Sequence, residues 1–355
     1  MAMLQATKML EWRRNSSTIY KDEFKYGMYG ALNFFLAQNH VAGSIVSDEL
    51  RNSARVSMGN TLKIPVLKRN TTATVATTRS CTVPANEVDS ALVTPEWQTV
   101  ADGFVIYRDR YNSNDVKYNA DFNAKMRDML RRIALKLDQL CVANLELFKT
   151  AAINDPLNYT FSSSLLAAKW NDRMDIMGDL IAMMASNNYF GRINLVGNAG
   201  VMNLLNKLME HGTYNDVNKA YEYLDKMLWL TSNVSNASNK YCTGYAIPDG
   251  HVGIIEKLPR TCLAGEEANG HVWGKTTLPL MGDLQFGTHF YSTVGDYSTE
   301  TGESDMICDI ADYYGFELNF ALLNSYRSVV ADPTPVIKWN IATGDNGVYY
   351  TEAVQ

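Results

Sequence analysis

The chain has 355 residues, 46% hydrophobic and 20% charged, with a mean hydropathy of -0.20, as expected of a water-soluble protein with one large core or two smaller ones. A formal net charge of -6 and a pI near 5.5 argue against a protein whose main task is gripping phosphate backbones, which needs a dense basic surface. The longest apolar stretch, residues 176–185, is cut by Gly178 and Asp179 and falls short of the roughly 20 residues of a membrane span.

Residues 1–10 run directly into Glu11, Arg13 and Arg14, without an apolar signal region, so the start reads as mature and cytoplasmic. In the first 45 residues, Tyr20, Phe24, Met28, Leu32, Phe35 and Leu36 fall at helical intervals, although Gly27 and Gly30 weaken the helix. This heavily aromatic face needs a partner surface, supplied either by another copy or by its own domain.

A long polar excursion follows. Leu62, Ile64 and Val66 predict a strand that Pro65 confines to an edge. From 70 to 90 the residues are mainly Thr, Ser, Ala and Asn, too few large apolar groups for a core, so an exposed, extended arm is expected. The chain turns apolar again at Val100, Phe104, Val105, Ile106 and Tyr107, a strand re-entering a folded body. An excursion of this length is hard to place inside a compact monomer. The stretch 60–111 is therefore expected to find its stabilising surface on another copy.

The strongest periodicity lies over 121–149. Phe122, Met126, Met129, Ile133, Leu137, Leu140, Cys141, Leu145 and Phe148 recur in steps of three and four, opposite a face carrying Lys125, Asp128, Arg131, Arg132, Lys136 and Asp138. This predicts an amphipathic helix on the order of 43 Å long, with Asn119 and Asp121 as N-cap candidates. Its basic residues read as a solvated face rather than a nucleic-acid patch.

Beyond Pro156, helix and strand signals alternate: a helix over 170–186, a short strand over 192–196, a turn at Gly197-Asn198-Ala199-Gly200 and a helix over 201–211. Residues 229–256 are strand-like and broken by turn chemistry at Pro248-Asp249-Gly250. Polar, glycine-rich loops are expected over 261–274 and 295–303. The chain closes with alternation over 313–330, the step Asp332-Pro333-Thr334-Pro335 and a last strand over 336–341.

The fold class is thus α+β, and the order of elements resembles the major capsid proteins of tailed bacteriophages, the Hong Kong 97-like fold. Three stretches carry the resemblance: Asp102-Gly103-Phe104-Val105-Ile106-Tyr107-Arg108-Asp109, Ile193-Asn194-Leu195-Val196-Gly197-Asn198-Ala199-Gly200, and Tyr326 through Asp332-Pro333-Thr334-Pro335 to Lys338. The resemblance implies an N-terminal arm (1–57), an E-loop (58–99), a peripheral or P-domain with the spine helix (100–188), an axial or A-domain (189–311) and a return to the P-domain with the C-terminal tail (312–355). It implies a structural subunit of an icosahedral shell, self-assembled into pentamers and hexamers around double-stranded DNA in a bacterial host's cytoplasm, without enzymatic activity, cofactor or membrane. A portal protein is an implied partner. So is a separate scaffolding protein, since the N-terminus leaves no room for the scaffolding segment some members carry. Candidate contacts between copies are Lys63, Lys68, Arg69 and Arg79 on the excursion, with Tyr20 and Phe24 on the arm. An encapsulin-type compartment would share the fold.

Catalytic patterns are sparse. Cys81, Cys141, Cys242, Cys262 and Cys308 are an odd, scattered set without a Cys-x-x-Cys pair, so reduced and mostly buried thiols are expected. None of His40, His211, His251, His271 and His289 belongs to a His-Glu-x-x-His pattern. A metal near His251 and His271, serving an α+β enzyme, is the alternative from another class. Gly197 to Gly200 precedes a helix and could hold an anion, though a tight turn explains it more simply. Lys219, Tyr221, Tyr223 and Lys226 could stack on bases, but interleaved Asp216, Glu222 and Asp225 favour a packed helix.

Overall fold

The computed structural model describes residues 29–56, 63–67, 90–108, 115–154, 157, 159–168, 175–201, 228–234, 242–279, 281–298, 306–325 and 333–341. Two six-stranded sheets, a long helix and a short wedge helix organise them.

The apolar stripe read from the sequence forms the spine helix, Asp115–Leu147, 33 residues long and therefore about 50 Å. Phe122, Met126, Met129, Ile133, Leu137, Cys141 and Leu145 are all buried, each worth roughly 1.5–3 kcal/mol when a large side chain is fully withdrawn from water. The helix begins ahead of the expected 121 because the stripe continues one turn further back. Tyr118 is buried four residues before Phe122, its hydroxyl bonded to Asp312 at 3.0 Å and paired with that of Tyr314 at 3.1 Å. Asn119 and Asp121 are consequently interior helix positions, not caps, and Asp121 pairs with Lys125 at 2.8 Å. The helix stops short of 149 because Thr150 is held elsewhere, donating its amide to the Val336 carbonyl at 2.7 Å.

The spine helix lies on the first sheet. Its strands are β3 (Gln98–Tyr107), β9 (Val252–Lys257), β10 (Glu267–Ala268), β11 (His271–Thr277), β12 (Gln285–Ser298) and β13 (Met306–Asn324). The order is β10-β11-β12-β13-β3, all antiparallel. Along one edge of β13, β12 pairs with residues 306–317 and β9 takes over from Asn319 to Asn324. Alternation sends Phe290, Tyr314, Phe316, Leu318 and Phe320 into the core, leaving the other face of the sheet more open. Of the loops expected over 261–274 and 295–303, the first is largely regular structure and the described part of the second, 295–298, is strand, while 299–303 lie outside the described residues. A short helix (Arg260–Ala264) leads into the β10–β11 hairpin, turned by Asn269 (φ 52°) and Gly270 (φ 80°), and β12 runs on to Ser298. The polarity of 261–274 goes with partly or fully exposed positions rather than irregular backbone.

The second sheet has the order β4-β5-β14-β8-β6-β7, from β4 (Thr160–Ser162), β5 (Leu165–Ala168), β6 (Ile193–Gly197), β7 (Leu228–Leu230), β8 (Cys242–Pro248) and β14 (Ile337–Ile341). Every residue of β6 and β8 is buried, which explains their continuous apolar character. A helix, Ile176–Ser186, shares the core around Trp339. It is shorter than the expected 170–186, of which 170–174 lie outside the described residues, as do 202–211 of the next expected helix.

The interval 189–311 supplies strands to both sheets. Strands β9 to β12 and the start of β13 fall within 189–311, yet they belong to the sheet under the spine helix; only β6, β7 and β8 of that interval belong to the second. The reason is β13, whose length lets it pair on both edges and draw β9 and β12 to itself.

The wedge helix, Gly30–Gln38, joins the two sheets. Ala31, Leu32, Phe34 and Phe35 are fully or almost fully buried, in one cluster with the spine helix, Val196, Tyr245 and Ile254. Of the two readings of this aromatic face, packing on its own chain holds for residues 30–38. Gly30 is required: a Cβ there would lie 2.2 Å from the Leu230 carbonyl oxygen. A further helix, Asp48–Val56, is anchored by charge. Arg55 binds the fully buried Glu256 at 2.5 Å, and Arg51 binds Asp283. Within the expected arm, 1–57, the helices Gly30–Gln38 and Asp48–Val56 pack on the body, and 1–28 lie outside the described residues.

Candidate functional site

The excursion leaves the body as a two-stranded antiparallel ribbon, β1 (Ile64–Leu67) with β2 (Ser90–Val93), which pairs with no other strand among the described residues. Pro65 sits in it, as an edge strand permits. The foot is anchored on its own chain: Ile64 is buried with Val46, Ala54, Ile255, Ala321 and Leu323. Beyond the ribbon, Val100 and Ile106 of β3 are buried in the main core. The expectation that the whole of 60–111 rests on another copy is thus corrected at both ends, because Ile64, Val100 and Ile106 find their apolar partners in this molecule. The intervening 68–89 lie outside the described residues.

Beside the foot, a groove of about 480 Å³ lies between the end of the spine helix and the end of β13, lined by Ile64, Pro95, Leu140, Leu147, Phe148 and Leu322 among others. Leu147 is 74% exposed and Phe148 36%. Apolar groups of this size left at a helix end beside a groove form a surface suited to another chain. Periodicity pointed to Leu140 and Phe148 as helix-face residues; Leu140 packs against the core, while the exposure of Phe148 follows from the chain turning away at Thr150, which the sequence does not announce.

Among the six contact candidates, Lys63 is exposed immediately before β1. Lys68, Arg69 and Arg79 lie outside the described residues, as do Tyr20 and Phe24.

The open face of the first sheet carries a second cluster. Trp273, His289, Gly315 and Gly103 form one cross-strand row, and Lys275, Gly287, Glu317 and Ala101 the next. His271 Nδ1 lies 2.9 Å from His289 Nε2. Their ring centroids are 5.1 Å apart at 17°, so one ring nitrogen donates its proton to the other. Trp273 stacks on His289 at 4.9 Å and Tyr291 on Tyr313 at 4.4 Å, each at 3°. Burial, then the neighbouring His271, holds the His289 imidazole below its usual value. A cavity of about 400 Å³ opens beside this wall, between Trp273, His289, Cys262 and Glu317. Burial pushes the Glu317 carboxyl up.

The structure does not bring His251 and His271 together. His251 lies against Ser325 and Tyr189, just past the end of β13, whereas His271 is registered through Tyr291 to Tyr313. Twelve residues of extended chain, about 40 Å, separate Ser325 from Tyr313. No group of three or more His, Cys, Asp or Glu side chains suited to a metal occurs among the described residues. The Gly197–Gly200 turn is closed by its own Asn198, whose side-chain oxygen accepts the Gly200 amide at 3.1 Å, in agreement with a tight turn. Cys141, Cys242 and Cys262 are buried, and the segment 219–226 lies outside the described residues. No described helix is long and apolar enough to cross a membrane.

No family model matches the sequence, and no curated protein matches it. Solved structures similar in fold come from phages. The Cyanophage A-1(L) capsid asymmetric unit is 12% identical at a TM-score of 0.43, covering 90% of this chain and 94% of that one. The capsid structure of the Cyanophage P-SCSP1u is 9% identical at 0.44, covering 82% and 86%. A structure from Mycobacterium phage Bobi is 12% identical at 0.43, covering 86% and 94%.

Proposed function

We propose that this chain is a viral capsid subunit whose working form is a closed shell of many copies, with no catalytic task. The observation that carries the reading is the β1–β2 ribbon, paired with nothing else among the described residues and rooted beside an exposed apolar groove. A lone two-stranded ribbon is at best marginally stable in water. A second copy that covers it removes that deficit, and closed symmetry repeats the contact at every subunit.

In this reading the ribbon is the foot of an E-loop, and residues 1–28 belong to the N-terminal arm. The sheet under the spine helix is the P-domain, and the second sheet the A-domain, comprising β4 to β8 and β14 instead of the unbroken 189–311. A-domains meet in pentamers and hexamers, and the shell encloses double-stranded DNA loaded through a portal after assembly on a separate scaffolding protein in the host cytoplasm. The acidic net charge of -6 suits a wall that contains DNA without gripping it.

Negative-stain imaging of the expressed chain, with nucleic-acid analysis of native particles, tests this. Isometric particles holding nuclease-protected double-stranded DNA are expected. Particles filled with an enzyme and free of DNA would indicate an encapsulin-type compartment, and a chain that stays monomeric with its scaffold would overturn the shell altogether.

A further inference from the structure

The cavity on the open face of the first sheet has a floor, a wall and one uncompensated charge. The floor includes three neighbouring positions without a side chain, Gly103, Gly315 and Gly287. At Gly287 the space is already taken: a Cβ would lie 2.9 Å from Cys262 Sγ and 3.1 Å from Glu317 Cγ. The wall is the indole of Trp273, fixed by its stack on His289. The charge belongs to Glu317, partly buried over Gly287, with no hydrogen bond or ion pair among the described residues. Asp102, the other carboxylate of the cavity, is already bound to Arg132 at 2.7 Å. Lys275, exposed on the far side of Gly287 in the same row, forms no ion pair with Glu317.

A partly buried carboxylate without a cation partner attracts an ammonium or guanidinium group, and an indole lining the same cavity adds to that attraction where the cation meets its face. A slot of about 400 Å³ has room for the end of a lysine or arginine side chain. The excursion supplies such groups. Between Asn60 and Asn86 the sequence holds Lys63, Lys68, Arg69 and Arg79 and no Asp or Glu.

We propose that the Trp273–Glu317 slot receives a lysine or arginine side chain from the excursion of a second copy of this chain. The proposal rests on the shell reading above and adds to it a named receptor site. The charge-assisted contact sits off the apolar groove at the ribbon's foot, so it fixes where the arm lands as well as how tightly.

Two measurements test it. The unassembled full chain is titrated with N-acetyl-arginine amide, using the neutral isostere N-acetyl-citrulline amide as control. Binding of the arginine probe alone is expected, weakened roughly tenfold or more in Glu317→Gln. Equal binding of both probes, or no effect of Glu317→Gln, would overturn the slot. Assembly is then followed by sedimentation for Glu317→Arg, its fold checked by circular dichroism. Assembly should fail, and one of Lys63→Glu, Lys68→Glu, Arg69→Glu or Arg79→Glu in the same chain should restore it. Normal assembly of Glu317→Arg, or restoration by none of the four, would remove the second copy as occupant. If the wild-type chain binds the probe yet never assembles, the shell reading fails while the slot stands, and the assignment of its occupant falls with the shell.

Discussion

The carboxylate of Asp138, midway along the spine helix, accepts the backbone amide of Leu32 at 3.0 Å across 106 residues of sequence. Its other oxygen takes the hydroxyl of Thr231 and the side-chain amide of Asn233, the latter at 2.6 Å. The wedge helix has no side-chain cap of its own at Tyr29, so a residue from another element does the capping. One fully buried carboxylate thus ties together the wedge, the spine and the segment after β7.

Asp138→Ala is expected to leave the buried Leu32 amide and Thr231 hydroxyl, and the partly buried Asn233 amide, without their acceptor and to cost roughly 3 kcal/mol or more, with hydrogen exchange rising first in residues 30–38. Burial outweighs the hydrogen bonds and lifts the Asp138 carboxyl above its ordinary 3.8. The raised folded value means that ionisation opposes folding. This contribution is most favourable below 3.8 and is lost as pH rises through the folded value. Denaturant titrations across that window should show wild type losing stability relative to Asp138→Asn as pH rises; a constant difference would contradict the assignment.

Gly30→Ala should destabilise by about 1–3 kcal/mol or more, since its methyl group meets the Leu230 backbone and neither partner can rotate away. A chemical denaturation midpoint unchanged from wild type would contradict the packing of the wedge against β7.

Asp312 gives the opposite pH sign. Burial raises its carboxyl, but Arg108 at 2.6 and 2.7 Å, Ser292 at 2.6 Å and Tyr118 at 3.0 Å outweigh burial and hold it below 3.8. The stabilisation is complete above 3.8 and lost as pH falls through the lower folded value. Asp312→Asn should cost roughly 3–5 kcal/mol at neutral pH and flatten acid unfolding below pH 3.8. A variant as stable as wild type at pH 7 would count against the network.

Leu147→Asp separates folding from assembly. The side chain is 74% exposed, so the stability of the lone chain should change by no more than about 0.5 kcal/mol. On the shell reading, particle formation should fall sharply, measured by sedimentation. Unchanged assembly would take the groove out of the interface.

Much of this architecture was legible in the residues. The spine helix announced itself because its stripe repeats over eight turns, and Pro65 marked the ribbon as an edge. The limits of the elements were harder. Tyr118 extends the spine through a hydroxyl contact with Asp312, 194 residues away, which no local pattern encodes. The β4–β5 hairpin went unread because its turn is made by Ser163 (φ 52°) and Ser164 (φ 61°), without the glycine or asparagine that normally signals such a turn. The Trp273–Glu317 slot was invisible for a related reason: it is assembled from β3, β11, β12 and β13, whose registers bring Gly103, Gly315 and Gly287 together. Gly103 and Gly315 were read within strands, and only the pairing shows that they lie side by side. His271 was singled out with His251, but its true neighbour is His289, one strand across.

A cryo-electron microscopy reconstruction of particles grown from the purified chain is the most direct measurement. The account predicts a closed shell in which residues 68–89 of each copy cross onto a neighbour and place a basic side chain over its Trp273. Density tracing those residues back onto the body they came from, with no neighbour touched, would contradict it.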